Sequence, residues 1–378
     1  MADEQAFCVP VDHSPRLGVL GVFTTPSHRE YRDVIRASWF QDAAPQVILP
    51  KFVLRGSNLP PAVMNESRSL HDIVLVKGSS KMGRQGGPLI SLLHWLECAS
   101  LAWPNVQLIG KADDDIWLHL QGIAAYLNGA LVQLDTPMLY FGLMESYSWD
   151  EQHRHATQFQ FSFGHNEPCQ SAAGLVGPFC FAKGAAFWLS TPLARQLAEH
   201  EGVRTDLLAT AEAAELSEAE VVRGRHTTRS IPYEDVYLGL ALARAARGAS
   251  LTAVQLGKQA FSDLWGFFVA PSTLLWHQRF KDPSRIGLVH RWARRHHCAL
   301  PPPTFECLGR GYIACSGAVW RRCSVRHNHS ACSARRVDLK DYFHLRGPEA
   351  RRRRRPQRGS RAECDALPAE DRRGCLSG

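Results

Sequence analysis

The stretch of sequence that decides the fold is VQLIGKADDD, residues 106–115. Residues 106–111 form a mainly apolar run that predicts a buried β-strand, and the run leads directly into Asp113, Asp114 and Asp115. Three adjacent carboxylates repel one another, which is costly beside a buried strand unless a cation neutralises them. Because ligands of open α/β sheets bind at the carboxyl ends of strands, the stretch predicts oxygen ligands for Mg²⁺ or Mn²⁺, which could bridge to a diphosphate. The alternative is a solvated acidic turn or a helix cap.

Short apolar strands alternate with longer amphipathic helices on both sides of this stretch, which predicts an α/β sheet. The predicted strands are Leu17–Phe23, Phe52–Leu54, Asp72–Val76, Leu139–Met144 and Leu251–Leu256. Ser27 and Glu30 have the spacing of a capping box and predict the start of a helix. Phe181–Ser190 is predicted to enter another helix. The alternation continues from about residue 17 to residue 290, which predicts one large domain.

A second acidic pair precedes a helix farther along the chain. Glu234 and Asp235 come immediately before an apolar pattern at Val236 and Leu240 that is spaced as on a helix. The helix dipole stabilises a carboxylate at this position as the anion, and an ionised carboxylate can act as a general base. The alternative is an ordinary acidic residue of a first helical turn.

Four further residues are candidates for ligand contacts. Arg32 and Arg36 lie four positions apart on a predicted helix and could hold phosphates or a nucleotide base through their guanidinium groups. His277 follows the last predicted strand and could add an imidazole ligand to the cation site. Gly184 lies where a backbone must approach a neighbour closely. The structural alternatives are a solvated helix face for the arginines, a packing role for the histidine and a strand-to-helix turn for the glycine.

Taken in order, these segments resemble the β-1,3-galactosyltransferase group, glycosyltransferase family 31. The resemblance covers about residues 17–290, and its specificity lies in the joint order and spacing of the motifs. The motifs are RDVIRASW (32–39), KADDDI (111–116), CFAKG with a following LS (180–190), and EDVYLG (234–239).

The resemblance implies an α/β fold of the GT-A type, with a Rossmann-like, mostly parallel central sheet in a catalytic domain over residues 17–290. It implies an inverting, metal-dependent hexosyltransferase that uses a UDP-sugar donor, a glycan or glycoprotein acceptor, and Mn²⁺ (or Mg²⁺). The transferred sugar would be galactose or an N-acetylhexosamine, joined in a β-1,3-type linkage. Asp235 would be the catalytic base with Glu234 beside it, and Asp115 and His277 would bind the metal. The residues implied to bind the donor are Arg32, Arg36, Asp113, Asp114 and Gly184.

Toward its C-terminus the chain changes character. Cysteines recur every eight or nine residues between Cys298 and Cys332 with few apolar runs, which predicts a small disulfide-bonded extension over residues 291–346. Residues 347–378 include the run Arg351–Arg355 and predict a basic, disordered tail. The formal charge of +8 is therefore concentrated at this end of the chain.

Two other functions fit parts of the sequence. The chain could be a catalytically inactive nucleotide-sugar or glycan-binding module, although the presence of both carboxylate motifs favours an enzyme. The arginine run could bind nucleic acid, but interleaved aromatic residues and a folded binding motif are missing from it, so we do not expect nucleic-acid binding.

The sequence also bears on location. No apolar stretch reaches the ~18 residues needed to cross a bilayer, and residues 1–16 lack the pattern of a signal peptide. Membrane association is therefore expected only through an anchor that is absent from this sequence. The 11 cysteines favour an oxidising compartment. Composition leaves the compartment open, and the family resemblance implies the Golgi lumen or membrane.

Overall fold

The computed structural model describes the following residues: 8, 11–56, 59–78, 86–150, 155–161, 175–215, 234–246, 250–257, 260–262, 268–278, 281–296, 303–307, 312–313, 319–326 and 337–338. The chain divides into two compact units, Met1–Arg336 and Val337–Gly378. The described part of the second unit is the short strand Val337–Asp338. The predicted basic tail, residues 347–378, lies outside the described residues.

Strands and helices alternate along the first unit in the order predicted for an α/β sheet. Its described strands are β1 (Arg16–Phe23), β2 (Ile48–Arg55), β3 (Ile73–Val76), β4 (Val106–Asp113), β5 (Ile116–Leu118), β6 (Leu139–Asp150), β7 (His155–Phe161), β8 (Leu175–Ser190), β9 (Ser250–Gln255), β10 (Phe261–Ser262), β11 (Phe268–Val269), β12 (Leu275–His277), β13 (Thr304–Cys307), β14 (Tyr312–Ile313) and β15 (Val319–Arg326). Its described helices are α1 (Arg29–Arg36), α2 (Pro61–Leu70), α3 (Gly87–Ala102), α4 (Leu120–Leu134), α5 (Thr191–Glu199), α6 (Glu201–Glu215), α7 (Glu234–Ala245) and α8 (Ser284–His296).

One large sheet organises this unit, with the strand order β13–β15–β9–β6–β8–β4–β1–β2–β3. Strands β4, β1, β2 and β3 are parallel to one another, and so are β15, β9 and β6. Strand β8 lies between these two blocks and runs antiparallel to both β6 and β4. The sheet is therefore mostly parallel within a mixed α/β architecture, which confirms the predicted fold class.

Helix α3 packs against the parallel block formed by β4, β1, β2 and β3. Trp95 of this helix is completely buried, and its indole N–H donates a hydrogen bond of 2.9 Å to the Gly110 carbonyl. A Cβ atom on Gly21 of the neighbouring strand would come within 2.5 Å of the Trp95 ring. The close packing of α3 therefore depends on Gly21 in β1, and the hydrogen bond from Trp95 ties the helix to the backbone of β4.

The stretch that was predicted to enter a helix is a strand instead. Phe181–Ser190 forms the second half of β8, and the helix begins only at Thr191. Residues 187–189 pair with β6 on one side and with β4 on the other. A short, nearly continuous apolar run fits a strand covered on both faces as well as it fits a buried helix, which is why periodicity alone misled the prediction.

The predicted capping box does not form at the start of α1. The N-cap position is occupied by His28, whose side chain makes no capping hydrogen bond. The Ser27 hydroxyl lies 3.0 Å from the hydroxyl of Thr25. The side chain of His28 therefore remains available for a contact elsewhere.

Two disulfides are present among the described residues. Cys8–Cys98 ties the N-terminal segment to α3, and Cys307–Cys323 joins β13 to β15. Strand β15 also runs parallel to β9, so part of the predicted cysteine-rich extension continues the central sheet. The predicted domain boundaries at residues 290 and 346 stay predictions. Among the helices described, none combines the length and apolar character needed to span a membrane.

Candidate active site

Strand pairing brings two distant segments together where β4 ends. Strand β4 ends at Asp113, and the chain soon continues into β5. Strand β5 pairs antiparallel with β12, which places Ile116 opposite His277. The amide of Gln278 also donates a hydrogen bond of 3.3 Å to the carbonyl of Asp115. These backbone contacts hold His277 beside the aspartates.

Asp113, Asp115 and His277 form a cluster with one potential ligand atom each. These atoms all lie within 4.8 Å of one another. The Nε2 atom of His277 is 3.4 Å from Oδ1 of Asp115. Burial raises the pKa of the Asp115 carboxyl, but the neighbouring His277 and the charges of Lys111 and Lys281 together more than offset this effect, and the net result is a lowered pKa. Asp115 is therefore held in the ionised form that a metal ligand requires.

The donor set of this cluster fits a divalent cation. The Oδ1 atom of Asp115 is buried and has no hydrogen-bond partner within the described part of the chain. A buried carboxylate oxygen without a hydrogen bond is unusual, and the contact of Oδ1 with the His277 imidazole at 3.4 Å is an electrostatic one. Two carboxylates and an imidazole are ligand types that divalent metals accept. A cation bound by these three side chains would supply the missing interaction.

Asp114 is held by a residue that the sequence prediction did not single out. Its Oδ2 atom lies 2.9 Å from Nδ1 of His28, and its side chain is 9% exposed. The hydrogen bond with Asp114 raises the pKa of the His28 imidazole. The His28 ring also packs at a tilt against Tyr31, with centroids 5.0 Å apart. His28 follows the carboxyl end of β1, so the strand-end rule could have identified it.

Lys111 connects the aspartate cluster to helix α7. Its side chain is 1% exposed, and its ammonium group lies 2.6 Å from Oδ1 of Asp113 and 3.4 Å from Oε1 of Glu234. It also donates to the Gly184 carbonyl. Burial opposes the charge on Lys111, but these carboxylates outweigh it and raise the pKa of the ammonium group. Partial burial raises the pKa of Asp113 above its usual range, although Lys111 acts in the opposite direction.

The Asp235 carboxylate is fixed by two backbone amides. Gly184 N–H donates to Oδ2 at 3.0 Å, and Val236 N–H donates to Oδ1 at 2.8 Å. Burial is the main cause that raises the pKa of Asp235 to about 6, and the neighbouring charge of Glu234 adds to it. Each oxygen keeps a further lone pair, so the group can still accept a proton. Its position at the start of α7 agrees with the predicted helix start.

A bulge in β8 brings Gly184 to these side chains. Strand β6 pairs with β8 at Phe187 and next at Ala182, so residues 183–186 leave the regular ladder. A Cβ atom at Gly184 would lie 3.1 Å from Oε1 of Glu234 and 3.5 Å from Oδ2 of Asp235. The neighbours that the backbone approaches closely at this glycine are therefore the carboxylates of Glu234 and Asp235.

The two arginines of α1 pair with carboxylates outside the aspartate cluster. Arg32 is completely buried and forms a bidentate pair with Glu66, at 2.9 and 2.8 Å. Arg36 forms a second bidentate pair with Asp72, at 2.7 and 3.0 Å, and also contacts Glu66. These arginines hold the pKa of Glu66 at about 2 against the opposing effect of burial. A role in donor binding stays a prediction for both arginines.

We expect Arg32→Met to destabilise the fold strongly. The substitution leaves the buried Glu66 carboxylate without its bidentate partner, and breaking such a pair costs about 3–5 kcal/mol. We expect about 3 kcal/mol, the lower end of that range, because Arg36 still contacts Glu66. Urea unfolding measures the change. Arg29→Met is the matched control, because Arg29 is 50% exposed and also contacts Glu66, so its loss should cost less than about 1 kcal/mol. Equal effects of the two substitutions would contradict this account.

The structure thus brings most of the predicted site residues together at one end of the sheet. Asp113 belongs to the cluster with Asp115 and His277, and Lys111 links it to helix α7, which carries the predicted base. Sequence reasoning missed Lys111 and His28. A lysine inside an apolar strand was the available signal for the first of these. The predicted residues that converge are Asp113, Asp114, Asp115, Gly184, Glu234, Asp235 and His277.

Part of the chain matches a known protein family. Residues 30–212 match a family model described as Galactosyltransferase. The matched segment contains the three aspartates 113–115 and Gly184, whereas Asp235 and His277 follow it. No curated protein sequence shows a significant match to the chain.

Two solved glycosyltransferase structures show distant similarity to the chain. A glycosyltransferase involved in glycosylation of the major capsid of PBCV-1 is 10% identical, with a TM-score of 0.31 over 74% of this chain and 100% of that chain. The galactosyltransferase LgtC, in complex with donor and acceptor sugar analogues, is 11% identical, with a TM-score of 0.35 over 75% of this chain and 97% of that chain. At such low identities and TM-scores, neither similarity supports a statement about this chain.

Proposed function

From the premise that residues 30–212 are a galactosyltransferase-family domain and the chain is a glycosyltransferase, we propose that it is an inverting hexosyltransferase. It moves galactose or an N-acetylhexosamine from a UDP-sugar to a glycan or glycoprotein acceptor and forms a β-1,3-type linkage. The observation that carries this proposal is the link between the cluster of Asp113, Asp115 and His277 and the Asp235 carboxylate, made through Lys111 and Gly184.

Asp115 and His277 would hold the divalent cation, and Asp113 has an oxygen in the same cluster. We propose Mn²⁺, because it accepts both carboxylate and imidazole ligands, with Mg²⁺ as the alternative. When bound, the cation supplies a positive charge that offsets the negative charge on a departing diphosphate. Asp113 and Asp114 would contact the ribose or the donor sugar, and His28 keeps Asp114 in place.

Asp235 would act as the general base. One of its carboxylate oxygens, Oδ1 or Oδ2, accepts the proton of the acceptor hydroxyl while the oxygen of this hydroxyl forms a bond to the anomeric carbon. The bond from this carbon to the diphosphate oxygen breaks at the same time, and UDP leaves with the electron pair. A single displacement inverts the anomeric configuration. The backbone N–H groups of Gly184 and Val236 hold the Asp235 carboxylate in position during the step. Glu234 lies beside this carboxylate and would orient the sugar or the acceptor.

The pKa of Asp235 predicts how the rate depends on pH. Only the ionised carboxylate can accept the proton, and burial raises the pKa of Asp235 to about 6. We therefore expect kcat/KM to be constant above this pH and to fall about tenfold per unit below it. The measurement is the rate of UDP release at saturating Mn²⁺, with circular dichroism to verify that the protein stays folded. A rate that stays constant down to about pH 5 would contradict a base of this pKa.

The proposal is tested with a panel of UDP-sugars and simple β-linked acceptors. UDP release and product mass are measured with and without Mn²⁺. We expect Mn²⁺-dependent transfer from one donor and a β-configured product by NMR. An α-configured product would contradict inversion. A folded sample that releases no UDP from any donor would contradict the whole proposal.

We also propose the Golgi lumen as the site of action. The pairs Cys8–Cys98 and Cys307–Cys323 support an oxidising compartment. Mass mapping of blocked thiols from the purified protein tests this, since both pairs should resist alkylation before reduction.

A further inference from the structure

Lys111 takes no part in the displacement itself, although its side chain lies at the centre of the site. Its ammonium group is almost completely removed from water, with 1% of the side chain exposed. A buried charge is stable only where hydrogen bonds and opposite charges compensate for its lost hydration. The partners of the ammonium group are Asp113 on β4, Glu234 on α7 and the Gly184 carbonyl on β8. One side chain therefore joins the three elements that carry the site.

Gly184 extends this connection to the base. Its carbonyl accepts from Lys111, while its own N–H donates to Oδ2 of Asp235 at 3.0 Å. Both groups are free for these contacts because residues 183–186 leave the regular pairing with β6. A Cβ atom at Gly184 would lie 3.1 Å from Oε1 of Glu234, which is a crowded distance, and 3.5 Å from the Lys111 ammonium group, which is an ordinary contact. A shift of the ammonium group would therefore displace the bulge and the carboxylate that it holds.

We propose that Lys111 is a positioning residue that holds Asp235 and Glu234 at a fixed separation from the cation site of Asp113. This inference rests on the proposed function. The positive charge also reduces repulsion between the carboxylates of β4 and α7, which would otherwise favour their separation. The three contacts keep the base and the cation site aligned for the same bound donor, and misplacement by about 1 Å can cost about 10²-fold in rate.

A positioning role and a purely structural role predict different results. Removing the ammonium group takes a positive charge away from Asp113, so Mn²⁺ should bind more tightly, while transfer should become slower because Asp235 is no longer held in place. A side chain that only supports the fold would weaken both properties together. Opposite changes in cation affinity and kcat therefore distinguish the two roles.

The test compares the full chain with the variant Lys111→Met, which removes the charge at similar size. Mn²⁺ affinity is measured by calorimetry without donor, and kcat and KM are measured with the best UDP-sugar. We expect kcat to fall about 10²-fold, the Kd for Mn²⁺ to decrease about three- to tenfold, and KM to change little. Lys51→Met is the matched control. Lys51 lies on β2 and donates to the His71 carbonyl at 2.8 Å, so both properties should stay at the wild-type level.

Two outcomes would overturn the inference: a wild-type kcat in Lys111→Met, or a folded variant that loses both transfer and Mn²⁺ affinity. If circular dichroism shows that this variant does not fold, Gly184→Ala replaces it. The added Cβ would lie 3.1 Å from Oε1 of Glu234 and push away this carboxylate, which Lys111 also contacts. We therefore expect kcat to fall while the Kd for Mn²⁺ stays unchanged, and an unchanged kcat would again overturn the inference. Absence of transfer by the wild-type chain would contradict the proposed function instead, and the Mn²⁺ affinities would then decide the role of Lys111.

Discussion

Asp235→Asn is expected to lower kcat for sugar transfer by about 10²–10⁴-fold, the usual contribution of a positioned general base. An amide has nearly the size of the carboxylate but cannot take up the acceptor proton. It also offers one oxygen to the two N–H groups that hold Asp235, those of Gly184 and Val236. One of these amides loses its acceptor, which should reduce the free energy of unfolding by about 1–3 kcal/mol. UDP release under saturating donor measures kcat.

Binding of UDP should remain in the Asp235→Asn variant. The cluster of Asp113, Asp115 and His277 is built on β4 and β12 and is unchanged by the substitution. Calorimetric titration of UDP in the presence of Mn²⁺ should therefore give an affinity close to that of the wild type. Transfer at the wild-type rate would show that Asp235 is not the base. Loss of UDP binding in a folded variant would show that its main role is in the binding of the donor.

Asp115→Asn is expected to abolish Mn²⁺-dependent UDP binding. The substitution removes the negative charge of a ligand whose Oδ1 atom is buried and lacks a hydrogen-bond partner in the described structure. Loss of an outer partner of a metal site already costs about 10–100-fold in affinity, so loss of a direct ligand should cost more than that. Since cation stabilisation of a departing group is worth several kcal/mol, kcat/KM should fall by roughly 10³-fold or more.

The affinity for Mn²⁺ itself is the decisive measurement for this variant, because it does not depend on transfer. Asp135→Asn is the matched control. Asp135 is an exposed aspartate in left-handed conformation at the end of α4, where asparagine is well tolerated. The control should bind Mn²⁺ and transfer sugar like the wild type. An unchanged Mn²⁺ affinity in Asp115→Asn would place the cation at other residues.

The class of fold could be predicted because its signals are local. Apolar runs such as Leu17–Phe23 and Val106–Lys111 predict strands by themselves, and the alternation with helices predicts a mostly parallel sheet. The antiparallel insertion of β8 could not be predicted. Its apolar second half, Phe181–Ser190, has no periodicity that separates a strand covered on both faces from a buried helix. Only pairing with β6 and β4 decides between the two.

The site was predictable where it follows strand ends and helix starts. Asp113 ends β4, Asp115 follows it, and Asp235 lies in the first turn of α7, so simple positional rules find them. The link between these groups depends on the bulge at Gly184 and on the buried Lys111, which arise from strand register and long-range packing. For Arg32 the same positional rules do not identify the partner. Its sequence position fits an anion-binding residue, yet its partner in the fold is Glu66, which is remote in sequence.

A crystal structure of the full chain with Mn²⁺ and UDP would test the central claim most directly. The anomalous signal of manganese locates the cation without reference to activity. We predict a single strong peak contacting Asp115 and His277, with the diphosphate of UDP on the cation and its terminal phosphate on the same side of the sheet as Asp235. A manganese peak away from these side chains, or a nucleotide on the opposite side of the sheet from Asp235, would contradict the account.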